Sequence, residues 1–291
     1  MVINGSKSNY VFVTGASGFI GKKLVRLLLD QGLKVRVLLN NSDIRMKDNN
    51  LDKRWGKIEN FDINKCLEKI DCVVHLAAYM GGLRDKNINK YKKINFVATK
   101  RLYLACQTRK IRFIYCSSIV AKYKVDRNDW YAKSKLMVSK EIVNGNYKNW
   151  VIVYPTAVID IKQIKKGKIA GFLMTRVGNG SRIFNIVDVK NLCKALKTLV
   201  NKTSLRGEYD LGGINISVSN YIKKSYKMAN KIYIPIRLPQ KILRIICRLV
   251  FGKNNLYYIF GKNLVDQKVS SIRAITDFKY NPKSGLEQFI D

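Results

Sequence analysis

The first half of the chain alternates short apolar runs with stretches of helical periodicity, the pattern of a parallel sheet joined by crossover helices. Tyr10–Thr14 reads as a strand, and Gly21–Asp30 as a helix with Leu24, Leu27 and Leu28 on its inner face. Lys34–Leu39 is the next strand, and a weak, polar stretch runs from Asn40 to Lys57. Asp71–Ala77 reads as a buried strand, Tyr91–Gln107 as a helix, Arg112–Cys116 as a strand, Tyr131–Val143 as a helix and Trp150–Tyr154 as a strand. No internal repeat or low-complexity segment interrupts this order, and only 4 prolines are present, which argues against independent domains joined by a linker. The expected fold class is α/β, a doubly wound parallel sheet.

Composition narrows the picture. At 47% hydrophobic and 26% charged residues the chain is globular, not disordered. Six cysteines without a CxxC pair give neither a disulfide framework nor a zinc knuckle, and the expected location is the reducing cytoplasm. The opening MVINGSKSNY has no apolar core of a secretory signal, and no apolar run reaches the roughly 18 residues of a membrane span. A single histidine, His75, leaves little room for His-based metal sites or Ser-His-Asp chemistry. It lies in an apolar strand and reads as a satisfied core residue, as Cys116 reads as packing.

The net charge of +35 draws the chain toward phosphates and anionic surfaces. The basic residues are scattered from Lys7 to Lys283, with 39 Lys against 16 Arg. A nucleic-acid protein concentrates charge on one face and favours Arg at bases, so the excess reads as background composition and no specific nucleic-acid partner is expected.

Directly after the first strand stands TGASGFIG, Thr14–Gly21. Glycines 15, 18 and 21 sit where a strand turns tightly into a helix, where backbone must approach a pyrophosphate and helix must pack close to sheet. The helix N-terminus then offers amides and a positive dipole end to the phosphates. The flanking strand and helix raise a weak glycine signal to a dinucleotide-binding one. At the end of the next strand Asn40 stands where an acid would select NAD, and Arg45 and Lys47 follow within reach of a 2′-phosphate. NAD or NADP is expected, with a lean to NADP.

Tyr131 and Lys135 in WYAKSK lie one helical turn apart on one face. A phenol is a poor base at neutrality, and an ammonium one turn away favours its ionised form. Ser117 and Ser118 close a strand in YCSSIV, which puts a hydroxyl at the carboxyl edge of the sheet, where ligands bind. Each feature alone has an ordinary explanation, a solvated helical pair or turn chemistry. Their order within one βα array is what points to catalysis.

Together these residues resemble the extended short-chain dehydrogenase/reductase superfamily, in its NAD-dependent epimerase/dehydratase branch. TGASGFIG resembles that family's cofactor fingerprint, with Gly15, Ser17, Gly18, Phe19, Ile20 and Gly21 as its contacts. Asn40, Asp62 with Ile63, and Leu76, Ala77 and Ala78 of VVHLAA match positions around the adenosine. Tyr154 and Pro155, together with Tyr131 and Lys135, complete the cofactor contacts that the resemblance implies. Asn95, Ser118, Tyr131 and Lys135 match the active-site positions. The resemblance implies Tyr131 as general acid/base, Lys135 as its cationic partner, Ser118 as anchor of the substrate oxygen and Asn95 as support for the helix and a proton-relay water.

It implies a Rossmann-type domain over 1–154 and 183–204, with substrate-cap segments over 155–182 and 205–291. IFNIVDV and GEYDLGG look like later sheet strands, and the C-terminal ITDFKYNPKSGLEQFI like the substrate-domain tail. It also implies a nucleotide-sugar substrate, closest to bacterial 4-reductases and 4-epimerases of surface-polysaccharide synthesis, and a homodimer. Departures accompany the match. Val120-Ala121-Lys122-Tyr123 replaces a usual V-Y-G continuation, Tyr154 replaces an Arg, and the loops after Ser118 and Val158 are short. Ile119 and Val120 stand where a dehydratase carries Asp-Glu, which disfavours dehydration. Other classes are a redox-inactive scaffold of the same fold and an oxidoreductase for another small carbonyl or alcohol. Basic and apolar residues also interleave from Arg237 to Lys253, the pattern of a cap helix or, alternatively, of peripheral membrane contact.

Overall fold

The structure, a computed structural model, describes residues 9–81, 87–122, 129–167, 181, 183–232 and 268–290. The Arg237–Lys253 helix expectation and part of the shortened Val158–Gly178 segment lie outside them.

Seven parallel strands form one sheet. In chain order these are β1 (Tyr10–Thr14), β2 (Lys34–Leu39), β3 (Leu51–Trp55), β4 (Cys72–His75), β5 (Arg112–Cys116) and β6 (Trp150–Pro155), with β9 (Gly207–Leu211) at the far edge. Their spatial order is β3-β2-β1-β4-β5-β6-β9, so the winding reverses between β1 and β4 and opens a crevice at the carboxyl ends of those two strands. Apolar side chains alternate between the two faces. Val11 and Val13 of β1 bury against α1 (Gly21–Leu29), while Phe12 points to the opposite face with α2 (Ile63–Leu67). That second face also receives a helical segment after the short α3 (Ile88–Lys90), a π-helix over Tyr91–Val97 running into α4 (Ala98–Thr108), and then α5 (Trp130–Asn144).

A smaller sheet holds β7 (Ala157–Ile159), β8 (Ile183–Asp188) and β10 (Ile214–Ser217), with β8 central, parallel to β7 and antiparallel to β10. It packs with α6 (Ile161–Lys165), α8 (Val218–Met228) and the C-terminal Leu286 and Phe289 around its own apolar cluster. Between them α7 (Val189–Asn201) returns to lie beside α1, and α9 (Ile272–Phe278) covers β9.

Two differences from the sequence reading follow from tertiary pairing. The polar stretch 40–57 contains β3, an edge strand hydrogen-bonded only to β2, so it needs no apolar alternation. Sheet membership also divides the chain otherwise than at 183–204 and 205: β8 belongs to the small sheet, and β9 completes the large one.

Candidate functional site

The glycine turn is tight at two of its three glycines. Gly15 has φ +69°, the left-handed region that L side chains avoid, and a Cβ there would stand 2.7 Å from the Ala77 nitrogen. A Cβ on Gly21 would stand 2.2 Å from the Gly15 carbonyl oxygen, so α1 starts in contact with the turn. Gly18, by contrast, is exposed, and a Cβ there would meet only the Gly15 oxygen, at 3.1 Å. No side chain caps α1 at Ile20, which leaves the positive end of its dipole to an anion. Ser17 is half-buried on this turn and Phe19 is exposed.

Leu76, Ala77 and Ala78, all half-buried, leave β4 directly against the turn. Asn40 is exposed where β2 ends, and Arg45 and Lys47, both exposed, lie beyond it, while Asp43 is paired with Lys53 at 2.9 Å. Asp62 caps α2 by accepting from the Lys65 amide at 3.0 Å, which sets Ile63 at the first position of that helix.

The residues expected to act as acid and base lie one strand further along. Lys135 is 3% exposed, and its ammonium donates to the Cys116 carbonyl at 2.8 Å, stacked over the Tyr115 ring at 4.8 Å and 6.0 Å from the centre of the Tyr131 ring. Burial pushes the Lys135 ammonium down to about 8, and it pushes the neighbouring Cys116 thiol up to about 11, so that thiol is no nucleophile at neutrality. Tyr131 sits on the first turn of α5, half-buried. The cap of that helix is Asp129, which accepts from the Ala132 amide at 2.9 Å. A capping acid just before the helical run was a readable signal that the sequence reading passed over.

Ser118 opens a 3₁₀ turn over Ile119–Ala121; the residue is half-buried, and its hydroxyl is not used to cap that turn. α5 packs against this turn and against the π-helix. Asn95, 2% exposed on the π-helix, holds both backbone groups of Tyr79: it accepts from the amide at 2.6 Å and donates to the carbonyl at 2.9 Å. It also donates to Ser134 Oγ at 3.0 Å, and Ser134 donates to the Tyr131 carbonyl at 2.8 Å. The neighbour Ser117 faces the other way, toward Ser139 at 3.1 Å.

Tyr154, expected beside a cofactor, makes contacts of its own at the end of β6. Its hydroxyl bonds to Glu208, and its ring lies under Lys122, whose ammonium is 4.4 Å from the ring centre and 2.6 Å from Asp210. Pro155 ends β6, and the next residue, Thr156, presents a buried hydroxyl with no hydrogen-bond partner among the described residues. Among the described residues no group of His, Cys, Asp and Glu could hold a metal, and the five described cysteines are buried and unpaired.

Comparison with known proteins agrees with this geometry. The profile of the NAD dependent epimerase/dehydratase family matches residues 11–212. A protein of Synechocystis sp. assigned as a dihydroflavonol 4-reductase is 30% identical over 72% of this chain and 70% of its own. UDP-glucose 4-epimerase of Yersinia enterocolitica is 28% identical over 76% of this chain and 83% of its own. Other curated relatives match over as little as 41% of their length. The solved structure of UDP-glucose 4-epimerase from Thermus thermophilus, a complex with NAD, superposes with TM-score 0.67 at 17% identity, covering 96% of this chain and 98% of that one. The glycine turn, the crevice beside it and the breadth of the match lead to one statement: the chain belongs to the NAD dependent epimerase/dehydratase family.

Proposed function

We propose that this protein is an NAD(P)-dependent nucleotide-sugar 4-epimerase or 4-keto reductase, working through Ser118, Tyr131 and Lys135. One observation carries the reading: a lysine ammonium is buried between two tyrosine rings, one turn from Tyr131, at the carboxyl edge of a strand next to the dinucleotide crevice. A buried, protonated lysine is costly and is retained where its charge has work to do.

The residues present fit a nicotinamide dinucleotide. Gly15, Gly18 and the start of α1 would hold the pyrophosphate, Leu76–Ala78 and Asp62 with Ile63 would flank the adenosine, and Pro155 would border the nicotinamide. When bound, the dinucleotide supplies or accepts a hydride at its nicotinamide ring. The chain's own residues do the rest. Ser118 Oγ donates to the sugar oxygen, Tyr131 Oη gives or takes the proton of that oxygen, and the Lys135 ammonium favours the Tyr131 phenolate. The absence of a carboxylate at Asn40 and the nearby Arg45 and Lys47 favour NADP over NAD.

The nucleotide sugar rests on the family and on relatives named as UDP-glucose 4-epimerases. The 30% identical cyanobacterial relative supports a second reading, reduction of another small ketone. The homodimer, the cytoplasmic location and the role in surface-polysaccharide synthesis belong to the first. The test has two parts. Nucleotide released on denaturation is identified by mass spectrometry: retained dinucleotide supports an epimerase, and reversible binding of added NADPH or NADH a reductase. Tyr131→Phe should then lose turnover of UDP-hexoses while binding the dinucleotide as before. Retained turnover would remove Tyr131 from the mechanism, and a protein that binds no dinucleotide would be a scaffold.

A further inference from the structure

His75 ends β4 with no solvent exposure, on the sheet face shared by its register partners Thr14 and Tyr115. Its ring is flanked by Phe113 and Tyr115, with centroids at 6.1 and 5.9 Å and planes within 25° and 21°. Those apolar walls leave the ring two polar contacts, one at each nitrogen. Nδ1 lies 2.7 Å from Thr14 Oγ1, and Nε2 lies 2.8 Å from Thr99 Oγ1 on α4.

The Thr14 hydroxyl has a second duty, since it accepts from the Ala77 amide at 3.2 Å. Thr14 immediately precedes Gly15, and Ala77 is the residue that the missing Gly15 Cβ would strike. The glycine turn and the exit of β4 therefore touch at one point, and the Thr14 oxygen bridges them there. A hydroxyl has one proton to give. If that proton goes to Nδ1, a lone pair is left for the Ala77 amide, and Nε2 carries the ring proton and donates to Thr99. Burial, with the Lys135 ammonium as a smaller influence, holds the imidazole down to about 3, so the ring stays neutral and keeps an acceptor nitrogen throughout the physiological range.

From this geometry we infer that His75 is a positioning residue for the dinucleotide site: as an acceptor at Nδ1 it orients the Thr14 hydroxyl toward the Ala77 amide and so sets the spacing between the glycine turn and the exit of β4. The inference rests on the reading that this turn binds a dinucleotide. It assigns His75 no contact with substrate and no proton transfer.

Three substitutions separate the two nitrogens. His75→Asn places an amide oxygen near Nδ1 and keeps an acceptor for Thr14. His75→Gln places an amide nitrogen near Nε2 and keeps the Thr99 contact alone. His75→Phe fills the volume and keeps neither. Two readouts follow: dissociation constants for NADH and NADPH by fluorescence, and amide hydrogen exchange of the peptides around Thr14–Gly21 and His75–Tyr79 in the nucleotide-free protein.

Loss of one oriented hydrogen bond should weaken dinucleotide affinity about tenfold. That loss, with faster exchange in both peptides, is expected for Gln and Phe, while Asn stays close to the parent. Equal behaviour of Asn and Gln, or parental affinity and exchange in the Phe variant, would overturn the inference. If the Phe variant fails to fold, the comparison of Asn with Gln decides the same point, with the loss expected for Gln only. A parent protein that binds neither nucleotide would refute the dinucleotide reading, and the exchange comparison would still judge the role of His75.

Discussion

Replacing Lys135 with Met should stabilise the ligand-free protein while abolishing its chemistry. Burial takes this lysine from 10.5 to about 8. At about 1.4 kcal/mol per unit, its protonated form costs the folded state about 3 kcal/mol. Below pH 8 the residue is protonated both folded and unfolded, and the cost is present in full. Between pH 8 and 10.5 the folded state releases the proton first, the unfolded chain binds more protons, and stability rises with pH. Above 10.5 the cost is gone. Methionine fills similar volume without charge, but it leaves the Cys116 carbonyl without its donor, a loss of about 1 kcal/mol. The variant should therefore be more stable than the parent by about 2 kcal/mol at pH 7, and less stable by about 1 kcal/mol at pH 10.5. Urea unfolding of both proteins at the two pH values, with unchanged m, measures this crossing. A variant destabilised equally at both pH values would mean that the buried ammonium carries no desolvation cost. Unimpaired turnover would mean that it has no catalytic task.

Three further substitutions probe the surroundings. Gly15→Ala forces a Cβ against the Ala77 nitrogen from a left-handed backbone, a strain of at least about 1 kcal/mol, and should abolish dinucleotide binding at concentrations that saturate the parent, as measured by fluorescence titration. Asn95→Ala leaves the Tyr79 amide and carbonyl without their side-chain partner and should lower unfolding stability by about 3 kcal/mol in a denaturant titration, with turnover reduced as well. Asp129→Ala removes the cap of α5 at a cost of about 1 kcal/mol, which calorimetry would detect, and it should lower kcat more than it raises the KM for the dinucleotide, because Tyr131 lies on the freed turn.

The parts of the fold that could be read from the sequence are those whose burial is two-sided and local in sequence. β1, β2, β5 and β6 are apolar runs because both faces of the sheet are covered, and α1 carries its leucines at helical spacing for the same reason. β3 escaped notice because Leu51, Asp52 and Lys53 are only half-buried and Arg54 and Trp55 are exposed. Its Asp52 is held by Arg36, Arg54 and Tyr10, and two of those are distant in sequence. The helix at Tyr91 was legible, but its π-helical start was not, since apolar periodicity does not report an added residue per turn. Strand character was legible in both IFNIVDV and GEYDLGG, but which sheet each joins depends on partners far along the chain. His75 was recognisable as a core residue, yet its two hydroxyl partners lie 61 and 24 positions away.

The segment leaving β4 connects the two halves of the site. A strand-to-helix connection at a sheet edge is ordinarily the mobile part of an α/β protein. Here many of the polar groups along it are held from one side or the other. On the dinucleotide side, the Leu76 amide bonds to the Thr14 carbonyl, the Ala77 amide to the Thr14 hydroxyl, and the His75 ring to Thr14 and Thr99. On the acid–base side, Asn95 holds both backbone groups of Tyr79, and the Tyr91 hydroxyl donates to the Met80 carbonyl. Asn95 reaches the Tyr131 turn through Ser134. Hydrogen bonds thus link the glycine turn, through a few residues of backbone, to the helix that carries Tyr131. Hydride transfer needs the nicotinamide and the proton donor in register to a fraction of an ångström. For the proposed hydride transfer, a tied strand exit would supply that register at low entropic cost, because the bonds that fix it are already made in the folded protein before any ligand arrives.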